Sequence, residues 1–175
     1  MTLFVSGVHA VGKTFVLGPV CKALRVRHAT ASQLIKEQRN LANWTVSRQV
    51  DDIEENQQAL IAAVSRLADA EIPVVLDGHF VLRRGAGVHE RIGVDTYVQL
   101  KIEGVLLLEA PTATVEERLR QRGDTTWTSS EIEAFSKMER EQAEHVCRQL
   151  NLPLVRLCTP TEFEVRDALT KLLRM

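Results

Sequence analysis

The residues able to do chemistry begin at position 7. Gly7-Val8-His9-Ala10-Val11-Gly12-Lys13-Thr14 fits G-x-x-x-x-G-K-S/T in full. Glycines at both ends let the backbone turn tightly, so successive N–H groups point inward around phosphate oxygens. A helix opening at the end of the pattern aims its positive N-terminal end at the same spot. In such a loop Lys13 reaches the β- and γ-phosphates and the Thr14 hydroxyl ligates magnesium, so ATP and Mg2+ are the expected cofactors. The expected nucleotide contacts are Gly7, His9, Ala10, Val11, Gly12, Lys13 and Thr14. Ala10 stands where such loops frequently carry a further glycine, and His9 is placed to touch phosphate or acceptor.

A second polar group follows the apolar run Pro73-Val74-Val75-Leu76, as Asp77-Gly78-His79. At the carboxyl end of a strand, Asp77 lies in the crevice where α/β sheets bind ligands. A carboxylate there holds a magnesium shell through water or orients an attacking oxygen. His79 either pairs with Asp77 or contacts an acceptor, with a plain packing role equally open.

These groups need elements to hold them. Leu3–Val5, Val26–His28, Pro73–Leu76, Val105–Leu108 and Leu154–Leu157 read as five strands. Their apolar runs lack alternation, which suits strands covered on both faces. Helical periodicity runs from Asp51 to Ala70, and Ser129-Ser130-Glu131 offers a capping-box-like start to a helix reaching about Leu150. Thr161 to Leu173 reads as an amphipathic helix with Phe163, Val165, Leu169, Leu172 and Leu173 inward. Gly18-Pro19 is expected to bend the first helix. Strands alternating with helices imply a three-layer α/β fold built from right-handed βαβ units, with one domain over residues 1–175.

Composition narrows the function classes. The chain has 175 residues, 45% of them hydrophobic, enough for a real core. With 22 Lys and Arg against 23 Asp and Glu, the formal charge is -1, which argues against a general nucleic-acid or membrane-surface binder. No apolar run approaches the ~18 residues a membrane span requires. No secretory signal is expected, and the widely spaced Cys21, Cys147 and Cys158 suit neither a disulfide framework nor a zinc site. Cytoplasmic localisation is the expectation.

The chain resembles the nucleoside-monophosphate-kinase branch of P-loop proteins, nearest to small archaeal-type adenylate-kinase-like enzymes and related bacterial ATP-binding proteins. Besides the loop, the resemblance is carried by Leu76-Asp77-Gly78-His79, by Leu106-Leu107-Leu108-Glu109-Ala110 with Val115 to Asp124, and by Thr159-Pro160. It implies a P-loop NTPase fold with a five-stranded parallel sheet, an acceptor-binding helical cover near residues 30–70 and a short lid near 118–135. It also implies that Arg118 stacks on the adenine, that Arg122 reaches the transferring phosphate, and that Thr159 and Pro160 pack against the base. Lys13, Asp77 and Arg122 become the catalytic set, with Thr14 and Asp77 on the metal. Ser32, which reads as an N-cap, joins Arg39, Arg48, His79 and Arg83 as the expected acceptor contacts. The sequence departs from true adenylate kinases in its lid, since the next arginine after Arg122 is Arg140. Trp127 in that gap is expected to pack in the interior.

The implied activity is ATP-Mg-dependent phosphoryl transfer to a small acceptor, with a nucleoside monophosphate as the leading candidate. Two alternatives stay open: an ATPase or nucleotide switch acting on a protein or RNA partner, and a kinase of a non-nucleotide metabolite. A monomer or homodimer is expected.

Overall fold

Five apolar runs become one parallel sheet. In the computed structural model, which describes residues 1–40, 52–68 and 72–174, the strands are β1 (Thr2–Ser6), β2 (Arg27–Thr30), β3 (Val74–Asp77), β6 (Ile102–Glu109) and β7 (Leu154–Cys158). Their order is β2-β3-β1-β6-β7, and every neighbouring pair is parallel. Each expected strand is present, with ends shifted by at most three residues.

The helices cover both faces, for a reason visible in single strands. Leu3 and Val5 of β1 face the cluster formed with α1 (Lys13–Leu24) and α7 (Glu162–Leu173), through residues such as Leu17, Val20, Val165 and Leu169. Phe4, between them, faces the cluster that includes Ile35 of α2 (Ala31–Arg39), Leu60 of α3 (Ile53–Ala68), Tyr97 of α4 (Val94–Gln99) and Val146 of α6 (Ser129–Leu150). In β6, Leu106 and Leu108 likewise face one cluster, Val105 and Leu107 the other. Successive strand side chains point to opposite faces, so an unbroken apolar run makes two cores. α5 (Thr112–Gln121) follows β6.

Three local expectations are corrected, at the starts of α2, α6 and α7, while α1 runs through Pro19 as one helix. The N–H that proline lacks would have met the carbonyl of Phe15, a residue 81% exposed, where water can substitute. The N-cap of α2 is Thr30, whose hydroxyl accepts from the Gln33 amide, and not Ser32. Thr128, ahead of Ser129, caps α6. Phe163 is 78% exposed, because it falls in the first turn of α7 on the side away from Val165 and Leu169.

Neither α4 nor a hairpin was anticipated. β4 (Val81–Gly85) and β5 (Val88–Arg91) form an antiparallel hairpin outside the main sheet, turning at Ala86-Gly87. Among the described residues no helix is long and apolar enough to cross a membrane.

Candidate functional site

The loop between β1 and α1 takes the backbone shape its sequence requires. Gly7, Ala10 and Gly12 all have positive φ, at 147°, 60° and 108°. Gly7 is obligatory: a Cβ there would lie 2.2 Å from the Leu108 carbonyl oxygen, which belongs to a sheet strand and cannot yield. Ala10 adopts the left-handed shape despite its methyl group, so the glycine expected there is not needed for the turn.

Lys13 opens α1 and is 7% exposed. Its Nζ donates to the Gly7 carbonyl at 2.7 Å and lies 3.9 Å from Asp77 Oδ1. Burial pulls the Lys13 pKa below the ordinary lysine value; Asp77 and Glu139 oppose that shift, and the Arg122 charge adds to it. The ammonium is therefore poorly solvated and held over the loop, where a phosphate would improve its surroundings.

Register brings Asp77 to the same place from 63 residues away. It pairs with Val5 across β1 and β3, and the next amide, Gly78, donates to the Val5 carbonyl at 3.0 Å. The Thr14 hydroxyl donates to Asp77 Oδ2 at 2.8 Å. Two hard oxygen donors this close, beside a phosphate loop, fit a magnesium ion that takes its remaining ligands from phosphate and water. His28 on β2 approaches the same carboxylate at 4.0 Å, and burial lowers its pKa against the opposing pull of Asp77. Gly78 allows close approach of a different kind: a Cβ there would meet the Phe4 ring at 2.7 Å.

Sequence reasoning missed Glu139. This α6 carboxylate is 1% exposed and accepts from the Ser6 hydroxyl and from the amides of Phe80 at 2.9 Å and Val81 at 2.7 Å. It thus ties the end of β1 to the start of the hairpin. Burial raises its pKa above the ordinary glutamate value, although these bonds and the Lys13 charge pull the other way. A signal was available, since an acidic residue stood one turn from Phe135 and Ala143 on the apolar face; only tertiary contact shows which amides it meets.

A cavity of about 420 Å3 runs from this loop to the α2–α3 cover. His9, Ala10, Val11, Gly12, Lys13, Thr14, Ser32, Asp77, His79 and Arg122 all line it. The His9 and His79 rings lie 4.1 Å apart, joining the loop to the turn after β3. Asp124, also unforeseen, closes the lid-side corner by accepting from the Thr126 amide and hydroxyl and from Trp127 Nε1. Trp127 is 6% exposed, the interior position expected of it.

Of the other expected arginines, Arg83 and Arg39 lie outside the cavity lining. Arg83 is fully buried inside the hairpin, where Nε and Nη2 grip Glu131 at 2.8 and 2.9 Å and the guanidinium lies 4.1 Å over the Trp127 ring. It does not line the cleft, so it is a clamp within the protein and not the expected acceptor contact. Arg39 turns toward α3, bonding Asn56, Asp52 and Glu55. Arg118 donates to the loop carbonyl of Val11 at 2.7 Å, so it braces the back of the phosphate loop. Thr159 and Pro160 follow β7 outside the cavity lining; the Thr159 amide donates to the Glu109 carbonyl. Arg48 lies outside the described residues.

A nucleotide-type loop at the carboxyl end of a parallel α/β sheet, with a helical cover, defines a P-loop protein of kinase fold. Residues 6–135 match the family described as AAA domain, and the chain belongs to that family. No curated protein sequence matches it. Among solved structures it is similar to a shikimate kinase from Acinetobacter baumannii in complex with shikimate, at 12% identity and TM-score 0.64, covering 99% of this chain and 92% of that one. It is similar to the YorR protein of Bacillus subtilis in complex with phosphorylated GDP, at 15% identity and TM-score 0.63, covering 99% and 96%. A gluconokinase from Sinorhizobium meliloti aligns at 18% identity and TM-score 0.56, covering 99% and 91%. These likenesses carry the P-loop kinase fold and no particular nearness to archaeal adenylate kinases.

Proposed function

We propose that this protein is an ATP- and magnesium-dependent phosphotransferase acting on a small acceptor. The observation that carries this reading is the contact of Thr14 with Asp77 beside Lys13, at the mouth of a cavity large enough for a small molecule. Magnesium would supply charge neutralisation between the phosphates, held by Thr14 directly and by Asp77 directly or through water. Lys13 and the loop amides balance charge on the phosphates, and Arg122, exposed at the end of α5, meets charge developing on the transferred group.

A cavity reaching from the loop to the helical cover favours a small acceptor over a switch that transfers only to water. The nucleoside monophosphate expected from the sequence loses two of its supports, because Arg83 and Arg39 are engaged within the protein. Kinases of non-nucleotide metabolites among the similar structures support a wider acceptor range. The test is transfer of labelled γ-phosphate to a panel of acceptors. Lys13→Ala should reduce transfer by about 10²- to 10³-fold while circular dichroism stays unchanged. Wild-type turnover in that variant sinks the reading.

A further inference from the structure

We infer that Arg83 is a positioning residue for phosphoryl transfer: buried away from the cavity, it fixes the lid segment that holds Arg122 at the cleft. The inference rests on the phosphotransferase reading and deepens it, by assigning what keeps the Arg122 charge in place.

Arg122 stands at the end of α5, where a helix ordinarily frays. Here the end is closed twice. The Gly123 amide donates to the Arg120 carbonyl at 2.9 Å, and the Asp124 amide to the Leu119 carbonyl at 3.0 Å. Gly123 takes the left-handed shape this closure requires, with φ 78°. Asp124 is then held from its other side. Its Oδ1 accepts from the Thr126 amide at 3.0 Å and hydroxyl at 2.6 Å, and its Oδ2 from Trp127 Nε1 at 3.1 Å.

Arg83 secures the far end of this run. Its Nη1 donates to the Thr126 hydroxyl at 2.8 Å and its Nη2 to the Thr126 carbonyl at 2.9 Å, while the guanidinium covers the Trp127 ring. The Thr126 hydroxyl therefore links Arg83 to Asp124, accepting from one and donating to the other. Glu131 of α6 balances the Arg83 charge from below the lid. A planar fork of donors can meet a hydroxyl, a carbonyl and a carboxylate while its face rests on an indole. One side chain of the hairpin thus joins the lid to the helix after it.

This matters for transfer because charge stabilisation is strongest when the charge is already in place. Arg140, the next arginine along the chain, is bonded to Glu109 and does not stand in for Arg122. A loosened turn lets Arg122 leave the cleft, and a misplacement of about 1 Å can cost about 10²-fold in rate.

Transfer of labelled γ-phosphate tests this, with whichever of AMP, dTMP, shikimate, gluconate or water the wild-type protein transfers to fastest. Arg83→Met with Glu131→Leu removes the clamp without stranding a charge. Thr126→Val breaks the link to Asp124 and leaves the Arg83–Glu131 pair intact, so it decides the matter if the first variant fails to fold. The expected fall in kcat is about tenfold or more for the former and about threefold or more for the latter, with KM for ATP changed by less than about twofold. In an Arg122→Ala background each should change kcat by less than about twofold, because the group they position is gone. Hydrogen exchange of the amides of residues 122–128 should quicken while α1 keeps its protection. An unchanged kcat, a loss undiminished by Arg122→Ala, or unaltered exchange at 122–128 overturns the inference. Failure of the phosphotransferase reading shows separately, as no transfer by the wild-type protein or as full activity in Lys13→Ala, and the inference falls with it.

Discussion

The Thr14 hydroxyl donates to Asp77 Oδ2 at 2.8 Å, across the junction of α1 and β3. Both groups therefore sit in one hydrogen-bonded unit. Thr14→Ala should raise the magnesium concentration for half-maximal activity by about tenfold or more, and Asp77→Asn should do the same. Activity titrated with magnesium at fixed ATP checks this; an unchanged midpoint in both variants places the ion elsewhere.

Arg122 faces the cleft from the end of α5, and its charge is felt at Lys13. Arg122→Ala should lower kcat by about 10²-fold with a smaller change in KM for ATP, as for loss of a group that meets charge mainly in the transition state. Equal loss in KM with kcat preserved would show a ground-state contact instead.

Glu131 receives Arg83, the Gly87 amide and His89, all inside 3.1 Å. Glu131→Ala leaves the fully buried Arg83 without its counter-charge and should cost about 3–5 kcal/mol in urea unfolding. The double variant Arg83→Met with Glu131→Leu should recover much of that loss, because no charge is then stranded.

The two buried glutamates set opposite pH trends. Burial raises the Glu131 pKa, but the bonds from Arg83, Gly87 and His89 outweigh it and leave the group below 4.5. Its share of stability is present above that unfolded value and is lost as pH falls through the folded one. Burial leaves Glu139 above 4.5, so the folded protein holds that proton longer than the unfolded chain, and stability falls as pH rises from 4.5 to the folded value. Glu139→Gln should remove this downward slope in thermal unfolding followed against pH. The same slope in both proteins would place its origin elsewhere.

Legibility followed range along the chain. The loop from Gly7 to Thr14 could be read because its chemistry depends on local backbone shape, and its strand and helix flank it directly. β1, β3 and the run Val105–Leu108 of β6 could be read because both faces are covered, leaving apolar runs without polar interruption, whereas β2 and β7 lie at the sheet edges and carry Arg27, His28 and Arg156. The β4–β5 hairpin was passed over because its strands are short and partly polar, although Gly85-Ala86-Gly87 marked a turn. Arg39 and Arg83 were expected at the acceptor because an arginine in sequence carries no sign of its partner. Their carboxylates come from α3 and α6.

Taken alone, the order of residues determined the phosphate loop, the alternation of strands and helices, and the charge balance, since each rests on neighbours within a few positions. Folding decided the rest: which carboxylate meets Thr14, that Glu139 ties the end of β1 to the hairpin, and that Arg39 and Arg83 are engaged within the protein. Apart from the Arg39 contacts, those outcomes depend on strand order and register, which bring together side chains many tens of residues apart, and no local spacing encodes them.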